Sequence, residues 1–136
     1  MTSLESAPAG FLSFLLEAKR ATYAAQGDEA TVAPLLAGSK QLEYRAGDYV
    51  YRDIYFGMAY FVGQEVVAYR DRTLWSMSYA GGVIASAPAS TDARALYAFL
   101  RRALREGSAR EPYRGPEVTW SGEVAYELRY AGGVLG

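Results

Sequence analysis

The fold turns on residues 48–83, DYVYRDIYFGMAYFVGQEVVAYRDRTLWSMSYAGGV. Aromatic and β-branched residues dominate it, and two turn-forming dipeptides interrupt it, Gly57-Met58 and Asp71-Arg72. This is the pattern of three consecutive antiparallel strands. If Gly57-Met58 is a two-residue turn, Tyr55 faces Tyr60, Asp53 faces Val62 and Tyr51 faces Gln64. If Asp71-Arg72 is the next, Ala68 faces Trp75, Val66 faces Met77 and Gln64 faces Tyr79. Side-chain alternation then puts Tyr49, Tyr51, Asp53, Tyr55, Tyr60, Val62, Gln64, Val66, Trp75, Met77 and Tyr79 on one face. Val50, Arg52, Ile54, Phe56, Phe61, Glu65, Val67 and Leu74 take the other. A slip of one residue in either turn exchanges these sets.

Working outward, residues 1–8 read as a flexible tail. A helix from Ala9 to Ala25 follows, with Phe11, Leu12, Leu15, Ala18 and Thr22 on one face, and Gly27 stops it. Residues 26–40 contain Pro34 and Gly38 and read as a loop, either a surface crossover, the favoured reading, or a lid that partly closes a pocket on the Tyr/Asp face. Gln41–Arg45 is a short strand that turns at Ala46-Gly47. Beyond the central stretch, Ser90 or Thr91 caps a second helix running to Glu106, with Ala93, Leu96, Tyr97, Leu100, Ala103 and Leu104 as its apolar stripe. A last hairpin joins Val118–Trp120 to Val124–Tyr130 through Ser121-Gly122. SYAGGVIA at 78–85 returns as RYAGGVLG at 129–136, which reads as an internal pseudo-repeat. The expected class is α+β: a meandering antiparallel sheet of five or six strands packed against two helices.

At 136 residues the chain fits a single domain, 1–136, with a core that needs no metal or disulfide. It has neither cysteine nor histidine, which excludes thiolate catalysis, Cys/His zinc sites and serine–histidine triads. No EF-hand loop or acidic cluster suggests a metal, and no sequence motif calls for a cofactor. A net charge of −1 supplies no field for nucleic acid or an anionic membrane. The start, MTSLESAPAG, lacks the basic and apolar regions of a signal peptide, so the expected location is cytoplasmic. Six arginines between Arg94 and Arg114 read as a solvated helix face complementing the helix dipole.

Several stretches carry a resemblance: FLSFLLEAKRATYA, SKQLEYRAGDYVYRDIYFGMAYFVGQEVV, LWSMSYAGGV, FLRRAL and YRGP. Together they resemble an uncharacterised bacterial domain family, found alone or behind a Cro/repressor-type helix-turn-helix in regulators. The most specific part is the spacing of Tyr51, Asp53, Tyr55, Phe56 and Gly57 with Gly63 and Glu65. The F-x-G-x-E stretch of that family's last hairpin is contracted here to Trp120-Ser121-Gly122-Glu123. What the resemblance implies is an accessory or sensor-like domain with no established activity.

Asp53 is the residue to single out. A carboxylate on an aromatic sheet face must find partners, because an unpaired buried charge costs several kcal/mol or raises its own pKa. In a binding reading, Tyr51, Asp53, Tyr55, Tyr60, Gln64, Trp75 and Tyr79 line a pocket for a small molecule. In a structural reading, tyrosine hydroxyls or an arginine satisfy Asp53. Glu65, on the other face in this register, pairs with Arg52; a slip of one residue would bring Asp53 and Glu65 together as a carboxylate pair. The leading expectation is a small-molecule-binding or regulatory domain. Self-association as a homodimer through exposed aromatics is the second reading, and a carboxylate-dependent hydrolase the third.

Overall fold

The computed structural model describes residues 8–22 and 30–82, together with Arg94, Ala98, Leu100 and Arg101, and the backbone of 118–121 and 124–127. One helix, α1 (Phe11–Ala21), precedes five antiparallel strands in sequential order: β1 (Thr31–Val32), β2 (Lys40–Ala46), β3 (Tyr49–Gly57), β4 (Tyr60–Tyr69) and β5 (Arg72–Gly82). A separate two-stranded ladder joins β6 (Val118–Ser121) to β7 (Val124–Glu127). The expected second helix and the 129–136 copy of the repeat lie outside the described residues, apart from Arg94, Ala98, Leu100 and Arg101, which are helical.

Helix α1 forms because Phe11, Phe14, Leu15, Ala18 and Lys19 recur at helical spacing, and all five are buried. Gly10 enters it with φ +88°, and the Pro8 carbonyl accepts from the Phe11 amide. The Tyr49 hydroxyl donates to the carbonyls of Pro8 and Ala9, so the chain is tied to the sheet from Pro8 onward. Within the expected 26–40 loop, the described part, residues 30–40, is less of a loop than expected. Thr31 pairs with Leu42 and Val32 with Gln41, which makes β1 a short edge strand.

The strand register differs from the sequence-based one, and the turns explain why. Gly57 closes β3 instead of opening the turn: it pairs with Phe61 at φ +92°, leaving Met58–Tyr60 as the connection. A Cβ on Gly57 would collide with the Tyr60 carbonyl, so the backbone here demands glycine. Asp53 consequently faces Glu65, Tyr51 faces Val67 and Tyr55 faces Gly63. At the next turn Arg70 and Asp71 both take left-handed φ, 49° and 62°, the conformation of a type I′ hairpin. A register shift between Val67 and Ala68 then brings Val67 opposite Trp75, Glu65 opposite Met77 and Gly63 opposite Tyr79.

The result is a sheet with two distinct faces. One packs on α1 and holds the core: Phe11, Phe14, Leu15, Ala18, Tyr51, Val67 and Trp75, flanked by Tyr44, Tyr49 and Met77. Phe14 stacks on Tyr49 at 4.8 Å between ring centroids, and Phe11 lies 6.4 Å from Trp75. The outer face carries Glu43, Arg45, Arg52, Ile54, Phe56, Val62, Gln64 and Val66. Among the described residues no helix is long and apolar enough to cross a membrane.

Candidate functional site

Two features stand out, one on each face of the sheet. Beneath α1, strands β3 and β4 present Asp53 and Glu65 as direct cross-strand partners, 0 % and 2 % exposed. Like charges placed opposite each other repel. The surroundings answer with a cation: the Lys19 ammonium donates to both Glu65 oxygens, at 2.9 and 3.1 Å. The Tyr51 hydroxyl also donates to Glu65 Oε1, and the Tyr79 hydroxyl donates to Asp53 Oδ1 at 2.6 Å. Lys19 Nζ further lies 5.8 Å from the centre of the Trp75 ring. Burial, reinforced by the Glu65 and Asp53 charges, pushes the Tyr51 phenol well above its ordinary value near 10. This tyrosine is therefore a fixed donor at neutral pH.

Such a cluster links helix to sheet. Lys19, Tyr51 and Tyr79 engage its two carboxylates, and a solute could reach either only by displacing groups packed over it. Glycine makes the arrangement fit: a Cβ on Gly63 would run into the Tyr79 ring and the Tyr55 side chain, so Tyr79 lies across bare backbone to reach Asp53.

The sequence-derived site residues divide between the faces. Tyr51, Asp53, Tyr55, Trp75 and Tyr79 share the α1 side, and Glu65 joins them there. Tyr60 and Gln64 alternate to the outer side, because the longer β3–β4 connection reverses the parity of β4 relative to β3. The expected Glu65–Arg52 pair is replaced as well. Arg52 Nε donates instead to Glu43 Oε1 at 2.8 Å, while Glu65 takes Lys19. Lys19 was missed because lysine reads as a surface residue. Its spacing of four from Leu15 and eight from Phe11 already put it on the buried stripe.

The outer face holds the second feature, a groove of about 330 Å³. Its floor is built from successive cross-strand pairs: Arg52 with Val66, Ile54 with Gln64, and Phe56 with Val62. Ser78 adjoins Gln64 from β5, and Leu36 reaches in from the segment before β2. The Leu35 amide donates to Gln41 Oε1 and the Ser39 hydroxyl to the Leu36 carbonyl, which holds that segment against the sheet. At the polar end Glu43 accepts from Arg52 and Gln41 and contacts Arg45. Burial alone would raise the Glu43 carboxyl, but the hydrogen bonds from Arg52 and Gln41 outweigh it and hold the carboxyl below its ordinary value.

No curated protein matches the chain, and no solved structure does. A family match begins at Asp53, so it takes in Glu65, Tyr79 and much of the groove but not α1 or Lys19. Residues 53–135, more than half of the chain, match the Domain of unknown function (DUF5680), and the chain belongs to that family.

Proposed function

We propose that this chain is a ligand-binding domain without catalytic chemistry of its own, and that its ligand lies in the outer-face groove rather than against Asp53. The groove is the observation that carries this reading: about 330 Å³, walled by Leu36, Ile54, Phe56, Val62 and Val66, with Gln64, Ser78 and Arg52 as polar points. A concave, mainly apolar site with a few polar groups is the usual form of a small-molecule site, and this volume lies at the small end of the usual range. The carboxylates that would serve a hydrolase are enclosed and already engaged by Lys19, Tyr51 and Tyr79. A thermal-shift screen of metabolites against wild type and Val62→Lys tests the reading. Val62 is 54 % exposed, so the lysine fills the groove without disturbing the core. Compounds that stabilise wild type and not the variant support the groove; equal stabilisation of both places the site elsewhere.

A second reading, a protein-interaction or homodimerisation module, is favoured by a different observation. Leu35, Met58 and Tyr60 are 69 %, 61 % and 72 % exposed, and Met58 and Tyr60 lie together at the β3–β4 connection. Isolated exposed apolar residues are ordinary, but a cluster of them marks contact surfaces. Sedimentation over a wide concentration range separates the two readings. A mass that doubles with concentration in wild type and not in Tyr60→Ser favours the module; a monomer throughout removes the homodimer.

A further inference from the structure

We infer that the groove selects amphiphilic anions, molecules with an unbranched apolar body and a terminal carboxylate; this rests on the groove being the binding site. The inference comes from the order of residues along it. Strand register fixes Arg52 and Val66 at one end, Ile54 and Gln64 in the middle, and Phe56 and Val62 at the other. From Arg52 to Phe56 is four residues of extended chain, about 13 Å at the rise of a strand. A cation therefore stands at one end of an apolar trough, and Leu36 overhangs it.

The charge balance at the Arg52 end points the same way. Two guanidiniums, Arg45 and Arg52, share one carboxylate, Glu43, at 3.4 and 2.8 Å. That leaves an excess of one positive charge among these three groups. Glu43 takes the Nε–H of Arg52, and a guanidinium has five N–H donors in a fork suited to carboxylates. A ligand carboxylate can join the cluster without removing Glu43. Gln64 and Ser78 supply neutral hydrogen-bonding groups at mid-groove and no charge to repel an anion. A cationic amphiphile would meet Arg52, and an apolar molecule without a charged end would leave it unused.

The test is titration of isotope-labelled full-length protein with decanoate and with decanol, below micelle-forming concentrations, followed by amide shifts in Ile54, Phe56, Val62, Gln64 and Ser78. The expected result is saturable binding of decanoate at least about tenfold tighter than decanol, as a charged hydrogen bond in a partly buried site gives. Arg52→Gln should abolish that preference while decanol binding and the thermal melt persist. Equal affinities for the two compounds, or a preference unchanged in Arg52→Gln, overturns the anion assignment and leaves the groove standing. Absence of any shift at these amides with either compound overturns both. If Arg52→Gln fails to fold, raising the salt concentration in wild type replaces it: decanoate binding should weaken and decanol binding should not.

Discussion

Lys19 holds the helix and the sheet together through one ion pair. Removing one partner of a buried pair leaves the other charged and unmatched, which typically costs 3–5 kcal/mol. Lys19→Met should therefore lower unfolding free energy by about that amount in urea titrations. Lys19→Met combined with Glu65→Leu should recover most of the loss, since an apolar pair of similar volume needs no counter-charge. A double variant as unstable as the single would show that Glu65 is not what Lys19 satisfies. Tyr51 makes a separate prediction in pH. Its folded pKa lies above the unfolded value, so folding retains its proton. Its contribution is complete below about pH 10 and is lost as pH rises above the unfolded pKa toward the folded one. Tyr51→Phe should flatten the fall of stability above pH 10, and phenolate absorbance of native protein should be unchanged by the substitution until unfolding.

At the scale of the elements, strand identity was legible in the sequence and strand pairing was not. Alternating aromatic and β-branched residues located β2 to β5 within one or two residues, and Phe11, Leu15 and Ala18 located α1. Register depended on how many residues each connection uses, and there the composition misleads. Gly57 looks like the first residue of a turn, yet it is the last paired residue of β3. Arg70-Asp71 forms a type I′ turn without the Asn-Gly or Asp-Gly signature, and a bulge beyond it adds a further offset. The candidate site was therefore half legible: the Tyr51–Asp53–Tyr79 grouping held together, while Gln64 and Tyr60 went to the other face. Two substitutions check these turns. Gly57→Ala should destabilise the domain by about 1–3 kcal/mol, because its Cβ meets the Tyr60 carbonyl at a left-handed φ. Asp71→Gly should raise stability by about 0.5–1 kcal/mol by relieving φ +62°, visible as a higher melting temperature.

For the molecule as a whole, sequential pairing of neighbouring strands sets where protection from exchange concentrates. Strands β3 and β4 are hydrogen-bonded on both sides and carry the buried cluster, so their amides should be the slowest to exchange. Strand β1, with two residues at the sheet edge, should exchange first. Exchange in β3 as fast as in β1 would mean that the whole sheet opens together, with no local opening at its edge. Strand β4 also places the two sides one residue apart, Gln64 in the groove and Glu65 beneath the helix. That spacing has a consequence for inheritance. Loss of a single codon within 61–69 would turn one flank of the strand inside out, carrying acid into the groove or grease out of the core. The same loss at Met58 or Ala59 would only shorten the connection to the two-residue form that hairpins favour. Length variation among descendants of this gene should accordingly accumulate at the tip and be purged from the strand.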